Sequence, residues 1–201
     1  ARAEAAKSWD RSLGRIEIEG GTPSQQTTFY TALYHSLIKP CEANDESPFW
    51  PWDGPFYFDF STMWDMYKTQ LPLVLTLFPK RGADLINSML TVVEMEGNFP
   101  IGYRLARGYD RFAHQASALA HVTIADAFHR GLSGIDWDRA VTMMWKDTGR
   151  AYGEAFLQDG LVHPITHTLD LAYGCFCTAQ VARGIGDDAT WQRMRELARR
   201  W

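Results

Sequence analysis

Residues 22–37 read TPSQQTTFYTALYHSL, and this stretch decides the fold class. Thr22 precedes Pro23, which places a capping side chain before a proline at the first helical position. Apolar side chains then recur every four residues, the spacing of one helix face, at Phe29, Leu33 and Leu37. The stretch therefore predicts a helix over about residues 24–39 that ends at Pro40.

The same start and stop signals recur along the chain and predict mainly helix. Helices are predicted after Ser61, over Gly82–Glu94, over Arg111–Arg130, from Asp136 to Thr148, over about Thr166–Arg183, and from Asp187 or Asp188 to the end. Prolines and aromatic residues predict a loop over 41–60, and Pro72 is predicted to kink the helix after Ser61. Only Arg15–Glu19 and Phe56–Phe60 resemble short strands. We therefore expect an all-α fold of consecutive helical hairpins.

Composition indicates a globular protein and excludes several functional classes. The chain has 201 residues, 46% of them hydrophobic and 22% charged, and a net charge of −4. That balance differs from a disordered segment, and the lack of a Lys/Arg block argues against a nucleic-acid partner. No apolar run approaches the roughly 20 residues of a membrane helix. Neither nucleic acid nor a membrane is predicted as a partner.

An acid beside a tryptophan is the strongest candidate site in the sequence. Trp64 and Asp65 are predicted near the start of a helix, where the ring could cover a sugar's apolar face while the carboxylate accepts hydrogen bonds from its hydroxyls. Lys68 follows Asp65 by three residues, so the two are predicted to pair on one helix face. The alternative is that Asp65 only complements the helix dipole while Trp64 packs in the core.

Two further carboxylates, Glu94 and Glu96, are predicted at the end of the third helix. The helix dipole disfavours acids there, so either ligand contact or solvent exposure must account for them. Glycoside hydrolysis uses two separated carboxylates. These two residues are therefore also candidates for sugar contact.

A metal site is not predicted from the cysteines and histidines. Cys175 and Cys177 follow His163 and His167, but this spacing matches none of the common zinc sites. Three cysteines are an odd number and cannot form a disulfide framework. We expect the cysteines on the helix to be buried side chains that behave as small apolar groups.

Four segments together resemble glycoside hydrolase family 92, the calcium-dependent inverting exo-α-mannosidases. They read FYTALYHSL at 29–37, STMWDMYKTQLPL at 61–73, EMEGNFP at 94–100 and ADAFHRG at 125–131. Their order and spacing agree over about Trp9–Trp201. The resemblance implies that residues 1–201 form the N-terminal, incomplete portion of an (α/α)6 toroid, the family's catalytic domain.

The resemblance also implies what this chain binds and what it lacks. Trp64 and Asp65 would line the subsite for a terminal mannose of an α-mannoside glycan, and Lys68 and Glu96 are further candidates. Met66 and Lys68 replace the family's Thr and Arg, and a Lys cannot form the bidentate contacts of an Arg. The family's acid, base and calcium ligands lie in motifs of the GNEP-x-HH and GN-(D/E)-D-x-G type, which this chain lacks. Catalytic residues therefore stay unassigned, and the calcium ligands are not expected in this chain.

The last predicted helix reaches Arg199-Arg200-Trp201 without a capping signal, so more chain or a partner chain is expected to complete the domain. An exposed helical face would otherwise favour dimerisation or aggregation. Two alternatives remain: a diverged module that binds a glycan without cleaving it, and a purely structural helical fragment. Localisation is not given by the sequence; the resemblance implies a secreted or periplasmic protein.

Overall fold

The computed structural model describes residues 1–44, 46–47, 49–60, 63–100, 118–149 and 153–200. Contacts between residues divide the chain into two compact units, Ala1–Pro40 and Cys41–Trp201. Each unit is described by itself.

The first unit is a pair of helices, α1 (Arg2–Leu13) and α2 (Pro23–Ile38). As predicted, Thr22 caps α2, and it does so reciprocally: Gln25 N donates to Thr22 Oγ1 at 3.3 Å, and Thr22 N donates to Gln25 Oε1 at 2.8 Å. The rings of Trp9 and Tyr34 meet at 4.5 Å. The sequence analysis did not predict α1, none of whose residues is buried. The strand expected over Arg15–Glu19 was wrong, since that segment is turn and coil.

The second unit opens with an irregular segment that is held by a two-stranded sheet. Strand β1 (Cys41–Glu42) pairs antiparallel with β2 (Tyr57–Phe58), so only part of the predicted Phe56–Phe60 strand forms. The loop between the strands is largely as predicted. The Tyr57 backbone N–H donates to buried Ser88 Oγ at 2.8 Å, which anchors the sheet on the helical core.

The helix predicted after Ser61 is two helices, α3 (Met63–Met66) and α4 (Gln70–Leu77). The break lies at residues 67–69, just before Pro72, so the helix is interrupted there and is not one continuous helix with a kink. A proline ring clashes with the carbonyl four residues earlier, which here belongs to Lys68, so the regular helix is interrupted before the proline. Pro72 itself lies in the first turn of α4, where no backbone donor is required.

The next helices form a layered core. They are α5 (Pro79–Glu96), α6 (Leu119–His129) and α7 (Trp137–Thr148). Pro79 occupies the first turn of α5, which therefore begins three residues before the predicted Gly82. Gly97 ends α5 in the left-handed conformation with φ 87°. Asp136 caps α7 as predicted, while the predicted start of the fourth helix at Arg111 lies outside the described residues.

The last helices are α8 (Gly153–Asp159), α9 (Ile165–Ile185) and α10 (Asp188–Leu197). α8 lies between the helices predicted at Asp136–Thr148 and Thr166–Arg183, where the sequence predicted no helix. Asp187 caps α10 by accepting from Thr190 N at 3.0 Å. α10 ends at Leu197, so the prediction that this helix continues to the end of the chain was wrong.

Helix-on-helix packing confirms the all-α prediction. α9 packs against α6, α7 and α10, and α5 packs against α4 and α7. Closure into a toroid stays a prediction. Across the ranges given above, none of the helices combines the length and apolarity that a bilayer crossing requires.

Candidate functional site

α3 presents Trp64 and Asp65 next to each other on a single helical turn. The neighbouring Met63 and Met66 are buried, at 0% and 4% exposure, and fix this turn against the core. Trp64 is half-buried and packs against the same core, while Asp65 is exposed. The core therefore holds the Trp64 ring in place, while the Asp65 carboxylate beside it is in solvent. A ring and a carboxylate placed side by side can bind a sugar.

The predicted pairing of Asp65 with Lys68 was wrong. α3 ends at Met66, so Lys68 does not lie one helical turn after Asp65. Lys68 Nζ instead lies 5.9 Å from the centre of the Tyr67 ring. Within the described ranges, neither Asp65 nor Lys68 forms an ion pair, so both charges remain available to a ligand.

Lys68 lines a cavity of about 550 Å³ between the α3–α4 break, α6 and α9. Polar groups from distant parts of the sequence converge there: Asp126, His129, Arg130, Tyr173 and Gln180. Trp64, Asp65 and Glu96 do not line this cavity. Sequence reasoning missed the residues from α6 and α9, because no local pattern links Lys68 to a tyrosine more than a hundred residues later.

Glu94, at the end of α5, is held by an arginine from α7. Arg139 donates from Nε to Glu94 Oε1 at 2.8 Å and from Nη2 to Oε2 at 2.7 Å. Hydrogen bonding from Arg139 lowers the pKa of Glu94 below its ordinary value. Lys146 Nζ donates to the Val93 and Glu94 carbonyls, so α7 also neutralises the negative end of α5. Glu94 therefore stabilises the contact between the two helices.

Glu96 lies in the last turn of α5 and is half-buried. The backbone three residues after Glu96 is held by a buried hydrogen bond. The Phe99 N–H donates to Asp147 Oδ1 at 2.8 Å, and Asp147 is 0% exposed. His121, also buried, packs its ring edge-on against Phe99 at 5.2 Å. A buried polar cluster that the sequence did not predict therefore holds the backbone three residues after Glu96.

The cysteines on α9 lie in two different parts of the core. Cys175 packs near Phe156 and Met194, whereas Cys177 belongs to the larger core. Burial raises the pKa of each thiol to about 12, so both are protonated near neutral pH. In the part of the chain that the structure describes, no three His, Cys, Asp or Glu side chains come together as a metal-binding group.

Sequence comparison relates the whole chain to one family. Residues 1–201 match the family described as the glycosyl hydrolase family 92 catalytic domain. A curated relative from Arthroderma benhamiae, named an uncharacterized secreted glycosidase, is 26% identical over 93% of this chain. The match spans only 24% of that relative's length.

Structure comparison leads to the same family. A family 92 inverting mannosidase from Bacteroides thetaiotaomicron superposes with a TM-score of 0.82 at 25% identity, covering 98% of this chain and 30% of that one. A family 92 alpha-mannosidase from the same organism superposes at 0.77 with 22% identity, covering 98% of this chain and 29% of its own. A structure of the latter protein has been solved in complex with mannoimidazole. This chain therefore spans less than a third of the structures that it resembles.

Proposed function

Since this chain belongs to glycoside hydrolase family 92, we propose that it forms part of the catalytic domain of an exo-α-mannosidase. The domain would be an (α/α)6 toroid of which residues 1–201 supply the N-terminal portion. The observation that carries the proposal is the TM-score of 0.82 at 25% identity to an inverting mannosidase over 98% of this chain. The substrate would be a glycan that ends in an α-linked mannose.

Trp64 and Asp65 would hold the terminal sugar. The half-buried indole cannot rotate freely, so its exposed part offers a fixed apolar surface to the C–H face of a pyranose ring. The Asp65 carboxylate, exposed beside it, would accept hydrogen bonds from two neighbouring hydroxyls. Together they orient the ring but do not themselves transfer a proton.

Lys68 and Glu96 are proposed as secondary contacts. The Lys68 cavity contains hydroxyl, amide and imidazole groups that suit a hydroxyl-rich ligand. A lysine there would donate to single oxygens without the planar two-point contact of an arginine. Glu96, fixed at the end of α5, would accept from a sugar hydroxyl.

Inversion would proceed by a single displacement. A carboxylic acid protonates the leaving oxygen while a carboxylate roughly 6.5–9.5 Å away activates water on the opposite face. We assign neither group to this chain. Its described residues also do not fit a calcium ion, because no acidic cluster is present among them. No step is therefore routed through calcium here, and its ligands are proposed to lie elsewhere in the domain.

The location of the enzyme is also a proposal. The curated relative is named as secreted, and we propose an extracytoplasmic location for this protein as well. An enzyme in that location would meet mannose-terminated glycans outside the cell.

Mannoimidazole binding, measured by calorimetry, tests the proposed sugar site. We expect the 201-residue chain to bind it and Trp64→Ala and Asp65→Asn each to weaken binding about tenfold or more. Trp145→Ala and Asp138→Asn, at exposed positions on α7, are matched controls that should bind like the unmodified chain. Equal weakening by the controls, or no binding at all, would contradict the proposed site.

Release of mannose from 4-nitrophenyl α-mannoside tests the activity separately. Hydrolysis by a longer form of the protein that contains this chain, lost in Asp65→Asn, is the expected result. Binding of mannoimidazole without hydrolysis by that longer form would favour a glycan-binding module instead.

A further inference from the structure

α9 carries large apolar side chains on the side that faces solvent as well as on its buried sides. Its buried residues pack in the core, yet its exposed side carries four large apolar side chains with exposures of 43–55%: Ile165, Leu169, Tyr173 and Phe176. They recur at intervals of four, four and three residues and so form one stripe about 16 Å long. A helix that is apolar all round is normally covered on all sides. The described residues leave this stripe about half exposed.

The stripe forms a ridge with a groove on either side. The rings of Tyr173 and Phe176 stack with centres 6.3 Å apart and planes 10° apart. Both residues line the Lys68 cavity on the α6 side and a second, larger cavity of about 760 Å³ on the α10 side. We call this second cavity the α9–α10 groove. Helices pack when the side-chain ridges of one helix fit into the grooves of another, so the α9–α10 groove can accept a ridge of a second helix.

Positive charge lines the α9–α10 groove without an internal counter-charge. Arg183, Arg195 and Arg199 line it, and none of the lining residues is acidic. The guanidinium groups of Arg183 and Arg195 lie 5.3 and 5.5 Å from the centre of the Trp191 ring, which fixes them beside the apolar floor. Within the described ranges, none of the three arginines forms an ion pair.

These charges restrict what can cover the groove. Anything that buries the apolar floor also takes the guanidinium groups partly out of water, which is costly unless carboxylates pair with them. A second copy of this chain placed face to face would bring the same arginines together, which is repulsive. A glycan would leave Ile165 and Leu169 without apolar partners.

We propose that the α9–α10 groove docks an amphipathic helix that carries carboxylates beside an apolar stripe. The apolar side chains of that helix lie against Leu169, Tyr173 and Phe176, and its carboxylates pair with Arg195 and Arg199. The proposal does not depend on glycosidase activity, because none of these residues belongs to the α3 site.

Two synthetic peptides test the proposal by fluorescence anisotropy against the 201-residue chain. Each has about 18 residues, so that its helix of about 27 Å extends past both ends of the stripe, with leucines at intervals of four, four and three residues and alanines at the positions that carry neither a leucine nor a charge. One carries glutamates beside the leucines and its twin carries lysines. We expect the glutamate peptide to bind at least about tenfold more tightly than the lysine peptide.

Variants of the chain locate the binding. Leu169→Asp should abolish binding of the glutamate peptide, while Met95→Asp, at an apolar side chain 54% exposed on α5, should not affect it. The double variant Arg195→Glu with Arg199→Glu should reverse the preference, so that the lysine peptide binds more tightly. Both arginines are exposed, and circular dichroism checks that helix content is unchanged.

Each other result overturns the proposal. If neither peptide binds, or if the double variant keeps the original preference, the groove does not select an acidic helix. If the unmodified chain instead dimerises in sedimentation and Leu169→Asp makes it monomeric, the face is covered by a second copy. Binding of mannan oligosaccharides that Leu169→Asp abolishes, without peptide binding, would assign the groove to a glycan.

Discussion

Two acidic residues near helix ends, Asp65 on α3 and Glu94 on α5, have opposite surroundings. Glu94 accepts two hydrogen bonds from Arg139 of α7, at 2.7 and 2.8 Å. Lys146, also on α7, donates to a carbonyl near the end of α5. Asp65 is exposed beside Trp64 and forms no ion pair within the described ranges. The contrast separates a carboxylate that holds helices together from one that is available to a ligand.

The difference follows from what packs against each helix. α5 lies against α7, so the end of α5 is built into a helix interface and its charges are matched there. α3 is a single turn whose buried methionines point inward and leave the acid in solvent. A carboxylate therefore becomes structural where a neighbouring helix brings a cation to it.

The largest expected effect on stability is at Asp147, the buried residue of α7 that accepts the Phe99 N–H just after the end of α5. Asp147→Ala removes the acceptor of the buried Phe99 N–H and should lower the free energy of unfolding by about 2–3 kcal/mol. Asp138→Ala, at an exposed position on the same helix, is the control and should change it by less than about 0.5 kcal/mol. Urea unfolding measures both. A loss at Asp147 no greater than the control would mean that this cluster does not fix the end of α5.

The ion pair at the end of α5 is expected to contribute less. Arg139→Met removes both hydrogen bonds to Glu94 and the one to Thr91 Oγ1, but keeps an apolar stem of similar length. Since the pair is partly exposed, at 25% and 38%, we expect a loss of about 1 kcal/mol in the free energy of unfolding. Denaturant midpoints of this variant and of Arg139→Lys give the measurement. A loss as large as that of Asp147→Ala would show that the interface depends on the pair more than its exposure suggests.

The same pair predicts a pH dependence with a definite sign. Because Arg139 lowers the pKa of Glu94 in the folded state, the ionised carboxylate stabilises the fold at pH values above its ordinary pKa of 4.5. That stabilisation is lost as the pH falls below 4.5 and through the lower folded-state pKa. The stability difference between the unmodified chain and Glu94→Gln should therefore be largest near neutral pH and shrink under acid conditions. A difference that grows as the pH falls would contradict the assignment.

Local sequence signals predicted most of the helices, but they did not predict the contacts between the helices. The caps at Thr22 and Asp136 act through residues three positions away, so they could be predicted from the sequence. By contrast, Arg139 reaches Glu94 across 45 positions, and nothing in either segment indicates its partner. Trp64 and Asp65 were identified because they are adjacent. The pairing of Asp65 with Lys68 failed because Pro72 interrupts the helix before Lys68 completes the turn.

The smallest expected effect on stability is at Asp65. Measuring stability and sugar binding together at Asp65 and Glu94 distinguishes the roles of the two carboxylates most directly. Asp65→Asn removes an exposed charge with no ion-pair partner among the described residues, so the free energy of unfolding should stay within about 0.5 kcal/mol of the unmodified chain. Glu94→Gln should lower that free energy at neutral pH and leave mannoimidazole binding unchanged, whereas Asp65→Asn should weaken binding. Calorimetry and urea unfolding on the two variants give four values. If both variants changed the same quantity, the division between a structural and a ligand-binding carboxylate would be wrong, because a group that already pairs within the fold has no charge left for a sugar.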